Sequence, residues 1–384
     1  MKDKKKAPKL RFKGFTDDWE QRKLGDVADI TTGSRNHQDS VTDGKYPFFV
    51  RSDKVERLNE YDFDTRAILV PGDGRIGEIF HYYNGKFALH QRVYKVDNFN
   101  GINALFLLGQ FKYSFKKHAL RLNAQGTVPS LRLQMFTNWN ISIPNITEQE
   151  RIGSFFRKLD QTITLHEEKK RQLERLKSAL LQKMFAYKNK SGDPDVRFKG
   201  FDERWERHML NDLAIFNPKG TLPTSFEYVD LGSVIGVEMI SHKTISKFDA
   251  PSRAQRLAQV GDLFYQTVRP YQQNNYLFDN KDNAYVFSTG YAQLRPLIDG
   301  YFLLCLVQTK SFVRKVMNAC TGTSYPAINS QDLAQIGVNI PINSKEQRLI
   351  GNLYKVIDNL IMLYQQKLDD LNTIKQSLLQ KMFI

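Results

Sequence analysis

The chain is written twice. Pro8-Lys-Leu-Arg-Phe-Lys-Gly-Phe-Thr-Asp-Asp-Trp19-Glu20 returns 186 residues later as Pro194-Asp-Val-Arg-Phe-Lys-Gly-Phe-Asp-Glu-Arg-Trp205-Glu206. The match carries on through Leu24 and Leu210, and through Asp26 and Asp212. Near the end of each half Ile141-Ser-Ile-Pro144 matches Val338-Asn-Ile-Pro341 at a spacing of 197. Glu148-Gln149 through Gln182-Lys-Met-Phe185 then matches Glu346-Gln347 through Gln380-Lys-Met-Phe383 at 198. A period this long is a duplicated module of domain size, not a solenoid repeat. Between the Trp motif and the Ile-x-Ile-Pro motif the second copy is 11 residues longer, and no identity stands out there. Kept edges and diverged middles predict one scaffold carrying two different functional surfaces.

Each copy ends in a long helical pattern. Ile152, Leu159, His166, Leu173 and Leu180 recur every seven residues, with Phe155, Phe156, Ile163, Leu176 and Met184 filling the alternate positions. In the second copy Ile350, Ile357, Tyr364, Leu371 and Leu378 recur in the same way, beside Leu353, Leu360, Ile361, Leu368 and Ile374. Five heptads with an apolar seam argue for coiled-coil helices. Each would run about 55–60 Å at 1.5 Å per residue. Neither can bury its seam alone, so the two are expected to pack on each other. His166 reads as a tolerated polar residue of the seam, and Glu167 with Arg171 as an i,i+4 pair on the outer face.

The middles read mainly as β, with Ala67-Ile-Leu-Val70, an Asn84-Gly85 hairpin signal and Tyr285-Val-Phe287 as examples. Shorter helices are expected over 104–118 and 301–317. Ala186 to Pro194 reads as an exposed linker. The fold class is therefore α+β (mixed α/β). The expected segments are a first globule over 1–146, a helix over 147–186, a linker over 187–195, a second globule over 196–343 and a closing helix over 344–384.

Composition narrows the function. A hydrophobic content of 41% with 12% aromatics can build real cores. No apolar run approaches the roughly 18 residues of a membrane span. Met1 to Lys9 is lysine-rich with no apolar segment behind it, so no secretory signal is expected. Cys305 and Cys320 form no Cys-x-x-Cys pair, which suits a reducing cytoplasm and argues against disulfides or structural zinc. A net charge of +15 and a pI near 9.5 favour a polyanionic partner, either nucleic acid or an anionic membrane surface.

No catalytic motif is convincing. Gly72-Asp-Gly-Arg-Ile-Gly77 fits G-x-G-x-x-G, but a dinucleotide site needs a helix after it, and the residues that follow read as a strand. A glycine-rich turn accounts for it better. No phosphate-loop motif exists. Asn217-Pro218-Lys219-Gly220 lacks the second proline and the aromatic of an adenine methyltransferase motif, and Asp193-Pro194-Asp195 only echoes a nuclease motif. The seven histidines show no metal-ligand spacing. No catalytic or metal residue is therefore assigned.

The middles do mix cations, amides and aromatics. Arg75, Lys86, Gln91, Arg92, Gln125 and Thr127 lie in or beside turn-prone segments of the first. Thr267, Arg269, Tyr271, Gln272, Gln273, Asn274 and Asn275 form one dense polar stretch in the second. Arg can bridge guanine O6 and N7, Asn and Gln can bridge adenine N6 and N7, and Lys and Arg neutralise phosphates. Any one of these residues can equally belong to an ordinary polar loop.

Together, Arg-Phe-x-Gly-Phe…Trp heading each half, Ile-x-Ile-Pro followed by Glu-Gln and a long helix, and Leu-Leu-Gln-Lys-Met-Phe at its end resemble the specificity subunits of type I restriction–modification enzymes. Gly126-Thr127-Val128-Pro129 and Thr323-Ser324-Tyr325-Pro326 look like that family's short loop near the end of each recognition domain, with Val128 departing from Tyr325. Thr323 and Tyr325 thereby join the candidate DNA contacts. The resemblance implies two globular target-recognition domains separated by two long antiparallel coiled-coil helices, related by a pseudo-two-fold. Each domain would read one half of a bipartite site in double-stranded DNA. Two methyltransferase subunits would bring S-adenosylmethionine, and two motor–nuclease subunits ATP and Mg, with no cofactor held by this chain. The competing readings are a lone methyltransferase or nuclease, a coiled-coil scaffold or membrane-surface protein, and a stand-alone DNA-binding protein.

Overall fold

The repeated flanks build the same frame twice, and the residues between them build two different sets of sheets. The computed structural model describes residues 7–123, 129–185, 194–281, 284–322 and 324–384. The chain divides into two units that do not follow chain order, Met1–Glu167 with Gln366–Ile384, and Glu168–Gln365.

The first unit holds β1 (Glu20–Lys23), β2 (Asp29–Thr32), β3 (Tyr46–Phe49), β4 (Val55–Leu58), β5 (Phe63–Pro71), β6 (His81–Leu89), β7 (Val93–Asp97) and β8 (Asn140–Ile143). Its helices are α1 (Ala104–Gln110), α2 (Lys116–Leu122), α3 (Leu133–Thr137) and the first part of α4 (Ile146–Met184). Strands β2-β7-β5-β6-β3-β4 form one sheet in that order, antiparallel except where β3 meets β6. Asn84 and Gly85 lie inside β6, opposite Arg66 and Thr65, so the expected hairpin turn is not there. The chain reverses instead over 72–80, where Gly74 and Gly77 take positive φ of 74° and 66°.

The second unit holds β9 (Glu206–Met209), β10 (Ala214–Phe216), β11 (Ser225–Val229), β12 (Val234–Ile235), β13 (Glu238–Met239), β14 (Lys243–Ser246), β15 (Ala254–Leu257), β16 (Leu263–Gln266), β17 (Tyr276–Leu277), β18 (Tyr285–Ser288), β19 (Tyr291–Pro296) and β20 (Gly337–Ile340). Its helices are α5 (Leu210–Leu213), α6 (Gly300–Val307), α7 (Lys310–Ala319), α8 (Ser330–Ala334) and most of α9 (Ser344–Met382). Two four-stranded sheets, β10-β19-β16-β17 and β14-β11-β18-β15, stand where the first unit has its six-stranded sheet.

The frame explains which residues the duplication kept. Arg11 makes a two-pronged pair with Glu148 at 2.8 and 2.6 Å, and Arg197 does the same with Glu346 at 2.9 and 2.7 Å. Both carboxylates are fully enclosed, and a planar guanidinium meets that need with two parallel bonds. The strand after each Trp pairs antiparallel with the Ile-x-Ile-Pro strand, β1 with β8 and β9 with β20. Gln149 donates to Pro144 O and Gln347 to Pro341 O, closing the turn into each long helix. Gly153 and Gly351 let a shorter helix approach. A Cβ on Gly153 would stand 2.8 Å from Phe106 N, and one on Gly351 would stand 3.0 Å from Phe302 N.

Helix ends complete the cores crosswise. In the first unit Trp19 packs against Phe106 and against Phe383, from the end of α9. In the second, Trp205 packs against Phe302 and against Phe185, which directly follows α4. The last turn of each copy's helix thus belongs to the other copy's globule.

The long helices have 39 residues each. Their inward residues alternate steps of four and three, so the seam runs through Lys170 and Lys177 on α4 and Ile361 and Lys375 on α9. Leu176, Leu360 and Ile374, expected in the seam, are instead exposed at 47%, 37% and 50%. Lysine stems can cover the seam while their ammonium groups find a carboxylate. Lys375 lies 2.6 Å from Asp160, which Lys112 also meets at 2.7 Å. Burial opposes ionisation of Asp160, but the two ammoniums outweigh it and hold the carboxyl below its ordinary range. At the duplicate position Lys177 lies 2.5 Å from Asp358, which accepts a bond from Tyr301 at 2.8 Å. In the second unit Lys170 meets Gln365 and Lys177 meets Asp358, so seven residues forward on α4 are seven back on α9 and the pair is antiparallel.

Structural equivalence also reaches into the divergent middles. At the 197 spacing Phe115 and Phe312, Ala119 and Val316, Leu131 and Ile328, and Phe136 and Leu333 are all buried. Only apolar character and approximate volume survive there, which cores tolerate.

Phe383→Ala should cost about 3–5 kcal/mol, as for other buried aromatics. Hydrogen exchange should show weakened protection around α1 in the first unit. Leu176→Ala should shift the thermal melt by less than about 0.5 kcal/mol. A large loss from Leu176→Ala would contradict this seam.

Candidate nucleic-acid interface

In the second unit the polar stretch expected from sequence forms a loop directly after β16. Much of it is occupied in holding its own shape. Thr267 is 7% exposed, and its hydroxyl donates to Gly290 O at 2.8 Å. Gln272 accepts from the Gln266 amide at 2.8 Å. Gln273 and Gln308 donate to each other's backbone carbonyls at 2.6 and 3.0 Å. Asn274 accepts from Gly236 N, and the buried Asn275 accepts from Gln266 N at 2.8 Å.

The loop turns Tyr271 and Gln272 outward, with the half-buried Arg269 beside them and the exposed Tyr325 from the neighbouring segment against it. Arg269 and Gln273 have left-handed backbones, with φ of 53° and 57°, which a non-glycine residue keeps only where its surroundings impose it. For Arg269 the surroundings are visible. Its N–H donates to Pro326 O, and its guanidinium lies 4.3 Å from the centre of the Tyr325 ring. Tyr325 is 65% exposed and Tyr271 50%. The segment around Tyr325 is tied to the loop by the Val268–Ala327 bridge and by Ile328 N donating to Thr267 O. Thr323 lies outside the described residues.

The first unit has the equivalent juxtaposition without sequence identity. The loop after β5 meets the residues before α3 through an Asp73–Ser130 bridge, and Leu131 N donates to Gly72 O at 2.6 Å. This loop is the G-x-G-x-x-G stretch. It leads into β6 rather than a helix, and a Cβ on Gly72 would stand 2.9 Å from Arg92 O. Arg75 pairs with Glu78 at 3.0 Å and lies 3.9 Å from Asp53. Lys116 and then Arg75 hold the Glu78 carboxyl below its usual range. Arg92 is exposed, and its carbonyl accepts from Gly72 N. Gln91 donates to Asn36 at 2.7 Å. Gln125 and Thr127 lie outside the described residues. Lys86 stands apart. It sits opposite Asp64 on β5 and 4.7 Å from the Tyr61 ring, eight strand residues or about 25 Å from Gly72.

Sequence reasoning missed Arg51, which is half exposed and reaches Asp73 at 3.3 Å in the same loop cluster. Its only signal was its place two residues after an aromatic strand. Asn217, the start of the incomplete methyltransferase motif, fastens backbone instead, accepting from Gln293 N and donating to Ser330. Among the described residues no group of three or more His, Cys, Asp or Glu could hold a metal ion, and no helix is long and apolar enough to cross a membrane. Cys305 is buried, which pushes its thiol well up.

The family model for the type I restriction modification DNA specificity domain matches residues 16–175 and again 203–373. The chain is 25% identical over 409 residues to the type I restriction enzyme EcoDI specificity subunit of Escherichia coli, covering 95% of this chain and 88% of that protein. It is 23% identical to the type I restriction enzyme MjaVIII specificity subunit of Methanocaldococcus jannaschii, covering 94% and 91%. In fold it is similar to the type I restriction-modification system S subunit from M. genitalium, with a TM-score of 0.73, 17% identity, and 98% and 99% of the two chains covered.

The loop geometry separates fasteners from outward groups. Asn275→Ala should cost about 1–3 kcal/mol in thermal unfolding, because the buried Gln266 N–H loses its acceptor, whereas Thr267→Val should cost less, because Gly290 O keeps its bond from the Thr267 N–H. Tyr271→Ala should stay within about 0.5 kcal/mol. Equal losses at all three would contradict the division.

Proposed function

This chain belongs to the type I restriction modification DNA specificity family, and from that premise we propose how its two units divide the work. Each unit reads one half of an asymmetric bipartite site in double-stranded DNA. The observation that carries this reading is the pairing of one frame with two unlike surfaces, a six-stranded sheet in the first unit and two four-stranded sheets in the second. Different surfaces on the same frame imply different half-sites.

In this account the second unit presents Arg269, with Tyr325 stacked on it and Tyr271 beside it. The first presents Arg75 and Arg92, with Thr127 in the short stretch that resembles the family's loop and Gln125 just before that stretch. A guanidinium can bridge guanine O6 and N7 in the major groove, and each good bidentate contact discriminates by about 1–3 kcal/mol. The helices that contribute to both units set the spacer between the half-sites. The chain itself makes and breaks no bond. Two methyltransferase subunits would supply S-adenosylmethionine chemistry on adenine N6, and two motor–nuclease subunits would supply ATP- and Mg-dependent cleavage. The complex would work in the cytoplasm, where its DNA is.

The test is a segment exchange. Replacing residues 30–140 by the equivalent of a relative, with the partner methyltransferase subunit co-expressed, should change one half of the methylated site and leave the other. A change in both halves would overturn the division. Arg269→Ala should weaken methylation only through the half read by the second unit. Inserting four residues near Lys169 should change the spacer or abolish methylation, and unchanged sites would remove the helices as the ruler.

A further inference from the structure

One charged surface of the first unit has no part in the base-reading loops. Helix α2, the start of α3 and the beginning of β8 enclose a cleft of about 710 Å³. Lys117, His118, Arg121 and Arg132 line it beside Trp139, and no acidic side chain does. Lys117, Arg121 and Arg132 are exposed, and none makes an ion pair within the described residues. His118 donates to Met135 O at 2.9 Å, and burial, with the nearby Arg121 charge, holds its imidazole below the ordinary value.

The second unit keeps this basic character only in part. At the 197 spacing that aligns the buried residues of α2 with those of α7, Arg314 stands at the place of Lys117 and Lys315 at that of His118, but Asn318 and Asn329 stand where the first unit has Arg121 and Arg132. Lys315 donates to Gly337 O at 2.6 Å, and burial, then Arg207 and Arg314, lower its ammonium's pKa. In the first unit's cleft, like charges gathered with no acidic side chain work against the folded state, and a polyanion relieves that repulsion.

We propose that this cleft in the first unit seats the phosphodiester backbone of the duplex. The proposal rests on the DNA reading above. Lys117, Arg121 and Arg132 then supply affinity without base choice. DNA is favoured over an acidic protein surface by place in the chain. Arg132 directly follows Leu131, whose N–H donates to Gly72 O in the loop of Arg75, and Arg121 lies beside Arg132 in the same cleft. A duplex read from the loop of Arg75 brings its phosphates to these cations.

The experiment measures DNA binding against salt for the full chain co-purified with its methyltransferase subunit, on a random-sequence duplex and on one carrying its methylated site. Lys117→Gln, Arg121→Gln and Arg132→Gln together should make the plot of log affinity against log salt shallower by about 3, one for each phosphate no longer neutralised. Both duplexes should weaken by the same factor. The charge-keeping variant Lys117→Arg, Arg121→Lys and Arg132→Lys should retain the slope. An unchanged slope overturns the proposal, as does a loss confined to the specific duplex, which would make these residues base readers. Loss of the methyltransferase subunit with the slope intact also overturns it and makes the cleft a protein dock. If the wild-type complex shows no salt-dependent retention, the DNA reading fails and the proposal with it.

Discussion

Each globule in this chain is finished by a helix end that the other copy supplies. Trp19 rests on Phe383, and Trp205 on Phe185. A buried aromatic is worth about 3–5 kcal/mol on truncation, a large part of a domain's net stability. The two long helices are therefore part of the cores themselves. The seam between them runs through Lys177 and Lys375, each paired with a duplicated aspartate, Asp358 and Asp160. Such half-buried pairs add little net stability but penalise any shifted register, which would strand a charge.

A frame fixed in this way explains the pattern of divergence. The residues repeated between the halves are the ones that build it: the Arg11–Glu148 and Arg197–Glu346 clamps, the glutamines that close the helix entries, and Gly153 and Gly351 where a shorter helix comes close. None of these can change alone without leaving a buried group unpaired or forcing backbones apart. Between them, the sheets need only bury apolar volume. The same frame carries a six-stranded sheet in one unit and two four-stranded sheets in the other. A specificity protein has use for such a separation, because its recognition surface can change without touching the fold.

Much of the architecture was legible in the sequence. The duplication announced the frame, and seven-residue periodicity located both long helices. Ala67 to Val70 and Tyr285 to Phe287 fell in strands as their composition suggested. The phase of the seam was harder to read, since Leu176, Leu360 and Ile374 look more like seam residues than Lys177 and Lys375 do. Hydrophobicity does not register a lysine stem that packs while its ammonium finds an aspartate across the seam. Asn84-Gly85 carried a turn signal but lies in β6, because a local preference yields to the ladder with β5. At the candidate site, the polar stretch singled out from sequence does form one loop in the second unit, but its division of labour was not legible. Amides that could bond a base can equally bond backbone, and Gln273 and Asn275 do so. The shared placement of the loops after β5 and β16 was invisible because only buried apolar volume is kept there.

The central claim is one frame with two unlike readers, and base-resolution mapping of methylated adenines tests it most directly. The chain would be expressed with its methyltransferase subunit in a host lacking other adenine methylation. The expected result is a single bipartite motif with two different halves and one fixed spacer, methylated only when this chain is present. A continuous motif, two identical halves, or methylation independent of this chain would contradict the account.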